Sequence, residues 1–190
     1  MARERKFSRE DLYRVSKQLL LKHGYEGFTF SLLAKDLNIS RGAIYKYYEN
    51  KDELLSEYMI YEMEIFLNKL DKINNYNSFN KQFDFLVDLM FQDQEMHQLR
   101  KIGFEIPHTT SETVKINSDT LSQLHLTMYK NLQSFVSQGK KEEIIKTHIP
   151  DELVLGFIFQ TIDIPNHTHI PQEKWIASIK EIIRNGMFVQ

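Results

Sequence analysis

Apolar positions recur at helical spacing along nearly the whole chain, and no stretch alternates in the two-residue rhythm of a strand. Residues 8–23 set Leu12, Val15, Leu19 and Leu20 on one face, with Ser8 as N-cap and Gly24 as stop, and predict a first helix. Residues 31–37 predict a second, with Leu33, Ala34 and Leu37 inward. Asn38 ends it, because asparagine tolerates the left-handed backbone. Ser40 then N-caps a third helix over residues 41–47, and Ile39 pins the turn to the core. In that helix Ile44 and Tyr48 point inward, which leaves Arg41, Gly42, Ala43, Tyr45, Lys46 and Tyr47 on or near the outer surface. Asn50 caps a long fourth helix over residues 51–74, apolar at Leu54, Leu55, Tyr58, Met59, Met63, Phe66, Leu67 and Leu70. Five more are predicted: 78–92, 94–104, one following the polar segment 108–111 and ending near Gly139, 150–164, and 171–185 with Gly186 as stop. The pattern predicts an all-α protein.

Helices two and three, joined by a tight turn, form a helix-turn-helix whose outer surface suits a DNA duplex. Small residues at the start of the third helix let it approach the floor of a major groove, where Arg41 can contact base edges and Gly42 and Ala43 give clearance. Tyr45, Lys46 and Tyr47 reach phosphates, and Thr29 and Ser40 offer hydroxyls at the helix starts. Lys51 stands beside the N-terminus of the fourth helix and suits one more phosphate. Charge agrees: residues 1–51 carry eleven Lys/Arg against six Asp/Glu, within a net charge of −2 for all 190 residues, so the basic end faces the polyanion. Arg3, Arg5 and Lys6 form a short basic arm that either follows the DNA backbone, enters a minor groove or only solubilises the terminus.

The stretch 24–55 resembles the N-terminal DNA-binding domain of the TetR family of transcriptional regulators. The matching residues are Gly24-Tyr25, Thr29, Leu33-Ala34, Ser40-Arg41-Gly42, Tyr45-Lys46-Tyr47-Tyr48 and Lys51-Asp52-Glu53-Leu54-Leu55, with departures at Phe28, Asn38 and Tyr48. The resemblance implies a three-helix DNA-binding domain over residues 1–51, continuing into a linking helix 51–74, and a larger helical ligand-binding and dimerisation domain over 52–190. It implies a homodimer on a palindromic double-stranded operator, acting as a repressor. An unidentified small-molecule effector would lodge among the central helices and swing the linking helix.

The last two helices carry wide apolar faces, Leu153, Val154, Phe157, Ile158 and Thr161 on one and Trp175, Ile176, Ile179, Ile182 and Ile183 on the other. Such faces either complete the chain's own core or pair with a second copy, and the resemblance implies the dimer. Phe83, Leu86, Met90, Phe104, Met128, Leu132 and Phe157 are candidate linings for an apolar effector pocket, although such residues at helical spacing also build ordinary cores.

Cysteine is absent, which excludes disulfides, thiolate metal sites and a cysteine nucleophile. The His167-Thr168-His169 spacing lies in a loop with no matching carboxylates, so no metal and no cofactor is expected. There is no phosphate loop, no Glu-x-x-His pattern and no nucleophile elbow, which argues against an enzyme. The longest apolar run is the seven residues 153–159, far below a membrane span of about 18 residues. The N-terminus lacks the apolar segment of a secretion signal, and a cytoplasmic location with no membrane partner is expected. The competing reading is a dimeric nucleoid-associated or adaptor protein of the same fold, acting through protein partners with no small-molecule effector.

Overall fold

The computed structural model describes residues 7–189, leaving aside the side chains of Gln94 and Met96. The basic arm of Arg3, Arg5 and Lys6 lies outside the described residues. Among those described there are nine α-helices: α1 (Arg9–Gly27), α2 (Phe30–Asp36), α3 (Arg41–Ile44), α4 (Lys51–Leu70), α5 (Phe79–Phe91), α6 (Gln94–Gly103), α7 (Glu112–Lys141), α8 (Asp151–Gln160) and α9 (Gln172–Met187). Short 3-10 turns follow α4 and α8, at Asp71–Asn75 and Thr161–Asp163. An isolated antiparallel pairing of Ile145 with Phe188 is the sole extended contact among the described residues.

The chain divides into two compact units, residues 1–64 with 95–123, and residues 65–94 with 124–190. The first has a core of Leu12, Leu20, Phe28, Leu33, Ile44, Leu54, Leu55 and Tyr58, joined by Leu99 and Ile102 from α6 and by Ile106. Burying each such side chain contributes about 1.5–3 kcal/mol, so this core holds the short helices that could not persist alone. In the second unit Phe79 stacks on Phe135 at 4.6 Å and meets the edge of Phe188 at 5.4 Å. Within this unit Lys180 and Arg184 tie α9 to α5, Lys180 reaching Asp88 at 2.6 Å and Asp84 at 3.3 Å, and Arg184 reaching Asp84 at 2.6 Å.

Several helix ends differ from the sequence expectation. Gly24 closes the first helical run as expected, at φ 66°, open to glycine without side-chain strain, but another short turn from Tyr25 to Gly27 follows it within α1. Residues 71–75 continue α4 only as a 3-10 turn. α3 closes at Ile44, and Tyr45 to Tyr47 follow as tight turns, consistent with the modest helix propensity of three nearby tyrosines. α7 runs through Gly139 to Lys141, and α9 runs through Gly186 to Met187.

Two buried tyrosines make the first unit sensitive to alkali. Burial pushes the phenols of Tyr13 and Tyr25 well above their ordinary value of 10.0, and the carboxylates of Glu57 and Asp52 that accept from them push in the same direction. Unfolded tyrosines ionise near pH 10 while these two stay protonated, so the stability they contribute is complete below that pH and is lost as pH rises above it. Urea melts between pH 8 and 11 should show stability falling above about pH 10, and Tyr25→Phe should make that fall shallower. An unchanged alkaline slope in Tyr25→Phe would remove this residue from the account.

Candidate nucleic-acid interface

The helix-turn-helix is assembled from local signals that the structure uses. Thr29 is the N-cap of α2 and accepts from the Leu32 N–H at 3.3 Å. Asn38 takes φ 53° and turns the chain. Ser40 occupies the N-cap position of α3 in extended conformation, yet its hydroxyl makes no capping bond and stays exposed. Ile44 and Tyr48 are buried and hold the reading segment to the core.

This arrangement presents Arg41, Gly42, Tyr45, Lys46 and Tyr47 outward. Ala43 departs from the expectation: it is buried, because it lies directly beside Ile44 on the inner side of a helix only four residues long. Both exposed tyrosines are braced from behind. Tyr45 meets the edge of Phe30 at 5.1 Å, and Tyr47 meets Phe7 at 5.8 Å with the rings at 80°. The composition of the motif did not point to these two phenylalanines, since each stands at a helix start remote in sequence. Arg41 donates to the Ser31 hydroxyl at 3.4 Å, a long bond that biases the guanidinium toward α2 without committing its remaining donors. Lys46 is exposed and makes no ion pair among the described residues.

Lys51 is differently placed from a side chain reaching into solvent. Its ammonium donates to the Tyr25 carbonyl at 2.7 Å and lies 3.9 Å from the centre of the Tyr25 ring. The Tyr25 hydroxyl donates to Asp52 Oδ1 at 2.7 Å. Residues 51 and 52 therefore grip Tyr25 at its carbonyl, ring and hydroxyl, and one of the three Lys51 donors is already committed. Asn50 caps α4 as expected, accepting from the Glu53 N–H at 3.0 Å.

The candidate pocket residues fall into two groups. Phe83, Leu86, Met90, Met128 and Leu132 are buried in the second unit, whereas Phe157 is exposed there and Phe104, in the first unit, is 71% exposed. Phe104 and Phe157 are thus excluded from a buried lining: Phe104 follows the last residue of α6, where its ring lies under Arg100 at 5.9 Å. A hollow of about 30 Å³ lies in the first unit, lined by Ser56 and Met59 of α4, Gly103, Ile106 and His108 around the end of α6, and Val114, Asn117, Ser118 and Leu121 of α7. It has room for a water or two. The lining is legible only in three dimensions, because it draws residues from three helices distant in sequence.

The candidate dimer residues also divide. Val154, Ile158, Thr161, Ile179 and Ile183 are buried within their own unit, so they serve the chain's core and are not available to a partner. Leu153, Phe157 and Ile182 are 58%, 45% and 63% exposed, and Trp175 and Ile176 are half-buried.

Residues 12–58 match the family described as bacterial regulatory proteins, tetR family. This stretch is similar to the DNA-binding domain of that family. The matched stretch contains α2, α3 and the first part of α4. The chain is similar to an HTH-type transcriptional regulator of Haemophilus influenzae, at 32% identity over 63 residues that make up 33% of this chain and 34% of the relative. It therefore spans about a third of the length of that curated relative. Two solved structures share the fold across nearly the whole length. A transcriptional regulator from Saccharomonospora viridis in complex with choline superposes with a TM-score of 0.77 at 13% identity, covering 96% of this chain and 98% of the other. The regulator FadR from Bacillus subtilis, in complex with stearoyl-CoA, gives 0.71 at 15% identity, covering 94% and 99%. At such identities the likeness is one of fold. Among the described residues no helix is long and apolar enough to cross a membrane.

Proposed function

We propose that this chain is a transcriptional repressor that binds a palindromic double-stranded DNA operator as a homodimer and is released by a small molecule. The observation that carries the reading is the exposed Tyr45-Lys46-Tyr47 surface, braced on Phe30 and Phe7, at the end of a helix-turn-helix anchored by buried Ile44 and Tyr48. Aromatic hydroxyls and a lysine held on a rigid support suit phosphates on either side of a major groove, while Arg41 and Gly42 stand where base edges would lie. DNA contact is assigned to residues 1–51 and regulation with dimerisation to 52–190.

Dimerisation is supported by the exposed apolar side chains Leu153, Phe157 and Ile182 on the last two helices. Two reading heads related by a two-fold axis then meet successive major grooves about 34–36 Å apart. An effector site is supported by the hollow between α4, α6 and α7, which a ligand would have to widen. That two proteins of the same fold hold choline and stearoyl-CoA supports a ligand of some kind, and their chemistry differs too much to name it here.

Selection of bound fragments from a genomic DNA pool at near-physiological salt tests the reading. A recovered palindrome supports it, whereas diffuse binding that no small molecule alters favours the nucleoid-associated alternative. On a recovered site, Lys46→Ala should weaken binding to all sequences and reduce the slope of log affinity against log salt by about one. Arg41→Ala should instead relax sequence preference. A Lys46→Ala slope equal to that of the parent protein would remove this lysine from the phosphate contacts.

A further inference from the structure

The geometry points to Ser111 as a positioning residue for the DNA-gripping turn, acting through the buried carboxylate of Glu53. This inference rests on the DNA-binding reading for its consequence, though not for its geometry. Glu53 is 5% exposed and its two carboxylate oxygens have different partners. Oε2 accepts from the Glu49 N–H at 2.8 Å, and Oε1 accepts from the Ser111 hydroxyl at 2.8 Å. Glu49 directly follows Tyr48, the buried ring that anchors the reading segment, so the Glu49 amide fixes the path of the backbone leaving Tyr45, Lys46 and Tyr47.

Ser111 is itself the cap of another helix. Its oxygen accepts from the Val114 N–H at 3.3 Å at the start of α7 while its proton goes to Glu53. The caps of α4 and α7 are thereby joined by one hydrogen bond, and the Glu53 charge serves the positive ends of two helices. A second tie, from Asn117 Nδ2 to Ser56 Oγ at 2.9 Å, lies one turn further along α4 and borders the hollow. The seam between α4 and α7 is therefore closed by side-chain hydrogen bonds that a displaced α7 would break, and the first of them ends on the turn that carries the tyrosines. Loss of the Ser111 proton donor leaves the Glu53 carboxylate with the Glu49 N–H alone and loosens its hold on Glu49.

Three substitutions separate positioning from capping. Ser111→Thr keeps both roles, Ser111→Ala removes both, and Ser111→Asp keeps the α7 cap while replacing the donor by a second negative charge. The readouts are hydrogen exchange at the Glu49 amide in the full chain and affinity for an unselected DNA duplex at fixed salt. Ser111→Ala and Ser111→Asp should both speed Glu49 exchange about tenfold or more and weaken duplex binding severalfold, with Ser111→Thr like the parent. If like-charge repulsion unfolds the aspartate variant, the Ala and Thr pair still decides. Parent-like exchange in Ser111→Asp, or exchange in Ser111→Thr as fast as in Ser111→Ala, would overturn the inference and leave Ser111 as a cap alone. Absence of duplex binding by the parent protein would instead sink the DNA-binding reading, while the exchange data would still decide whether the clamp exists.

Discussion

Phe157→Asp combined with Ile182→Asp is expected to yield a folded monomer whose affinity for a palindromic operator is lower by about a hundredfold or more. Both side chains are exposed in the single chain, so an aspartate at either position removes little from the chain's own core and its effect on folding should be small. A two-fold interface places each substitution twice, and each copy trades an apolar side chain worth about 1.5–3 kcal/mol on burial for a desolvated charge. Gly156 and Gly186 lie on the same two helices with open space where a Cβ would stand, which leaves room for a partner's helices to approach. The loss of DNA affinity follows from linkage. In a dimer the second half-site is engaged at high effective concentration once the first is bound, and a monomer forfeits that gain. Sedimentation velocity and operator titration on the double variant measure both quantities. A double variant that remains dimeric would move the interface away from α8 and α9.

How far the site could be read from sequence depended on the distance between partners. The helix-turn-helix was legible because its determinants are local: Asn38 turns the chain in left-handed conformation, Ile44 and Tyr48 point inward four residues apart, and Asn50 caps α4. Lys51 was less legible, because the Tyr25 carbonyl and ring that hold it, 26 residues earlier, are brought near by the break at Gly24. The Glu53–Ser111 bond spans 58 residues and has no periodic signature. Periodicity identifies an apolar face, not what covers it. Hence Val154 and Ile158 point into the core while Leu153 and Phe157, each one residue before them, remain exposed. Phe104 misled for a related reason: an aromatic residue just past a helix end can lie on the surface under an arginine.

Gly139→Ala should destabilise the second unit by about 1–2 kcal/mol, although the same change in an ordinary helix interior gains about 1 kcal/mol. The sequence suggests that Gly139 ends a helix, but α7 continues past it, so its lack of a side chain has another cause. A Cβ at this position would stand 2.5 Å from Cε2 and 2.8 Å from Cδ2 of Phe79, and 2.9 Å from Cδ1 of Ile145. Phe79 has nowhere easy to go. It is buried, stacked on Phe135 with rings only 10° from parallel, and held at an edge by Phe188. Displacing it opens contacts to two other rings at once, and the Gly139 carbonyl, which accepts from both Ile144 and Ile145, limits relaxation on the backbone side. Overpacking of this kind costs about 1–3 kcal/mol and outweighs the propensity gain, more so for Gly139→Val, which adds two further methyl groups. Urea denaturation of the full chain decides the sign: a midpoint higher than that of the parent protein would mean that Phe79 repacks at little cost and that Gly139 is not required by the close approach of its ring.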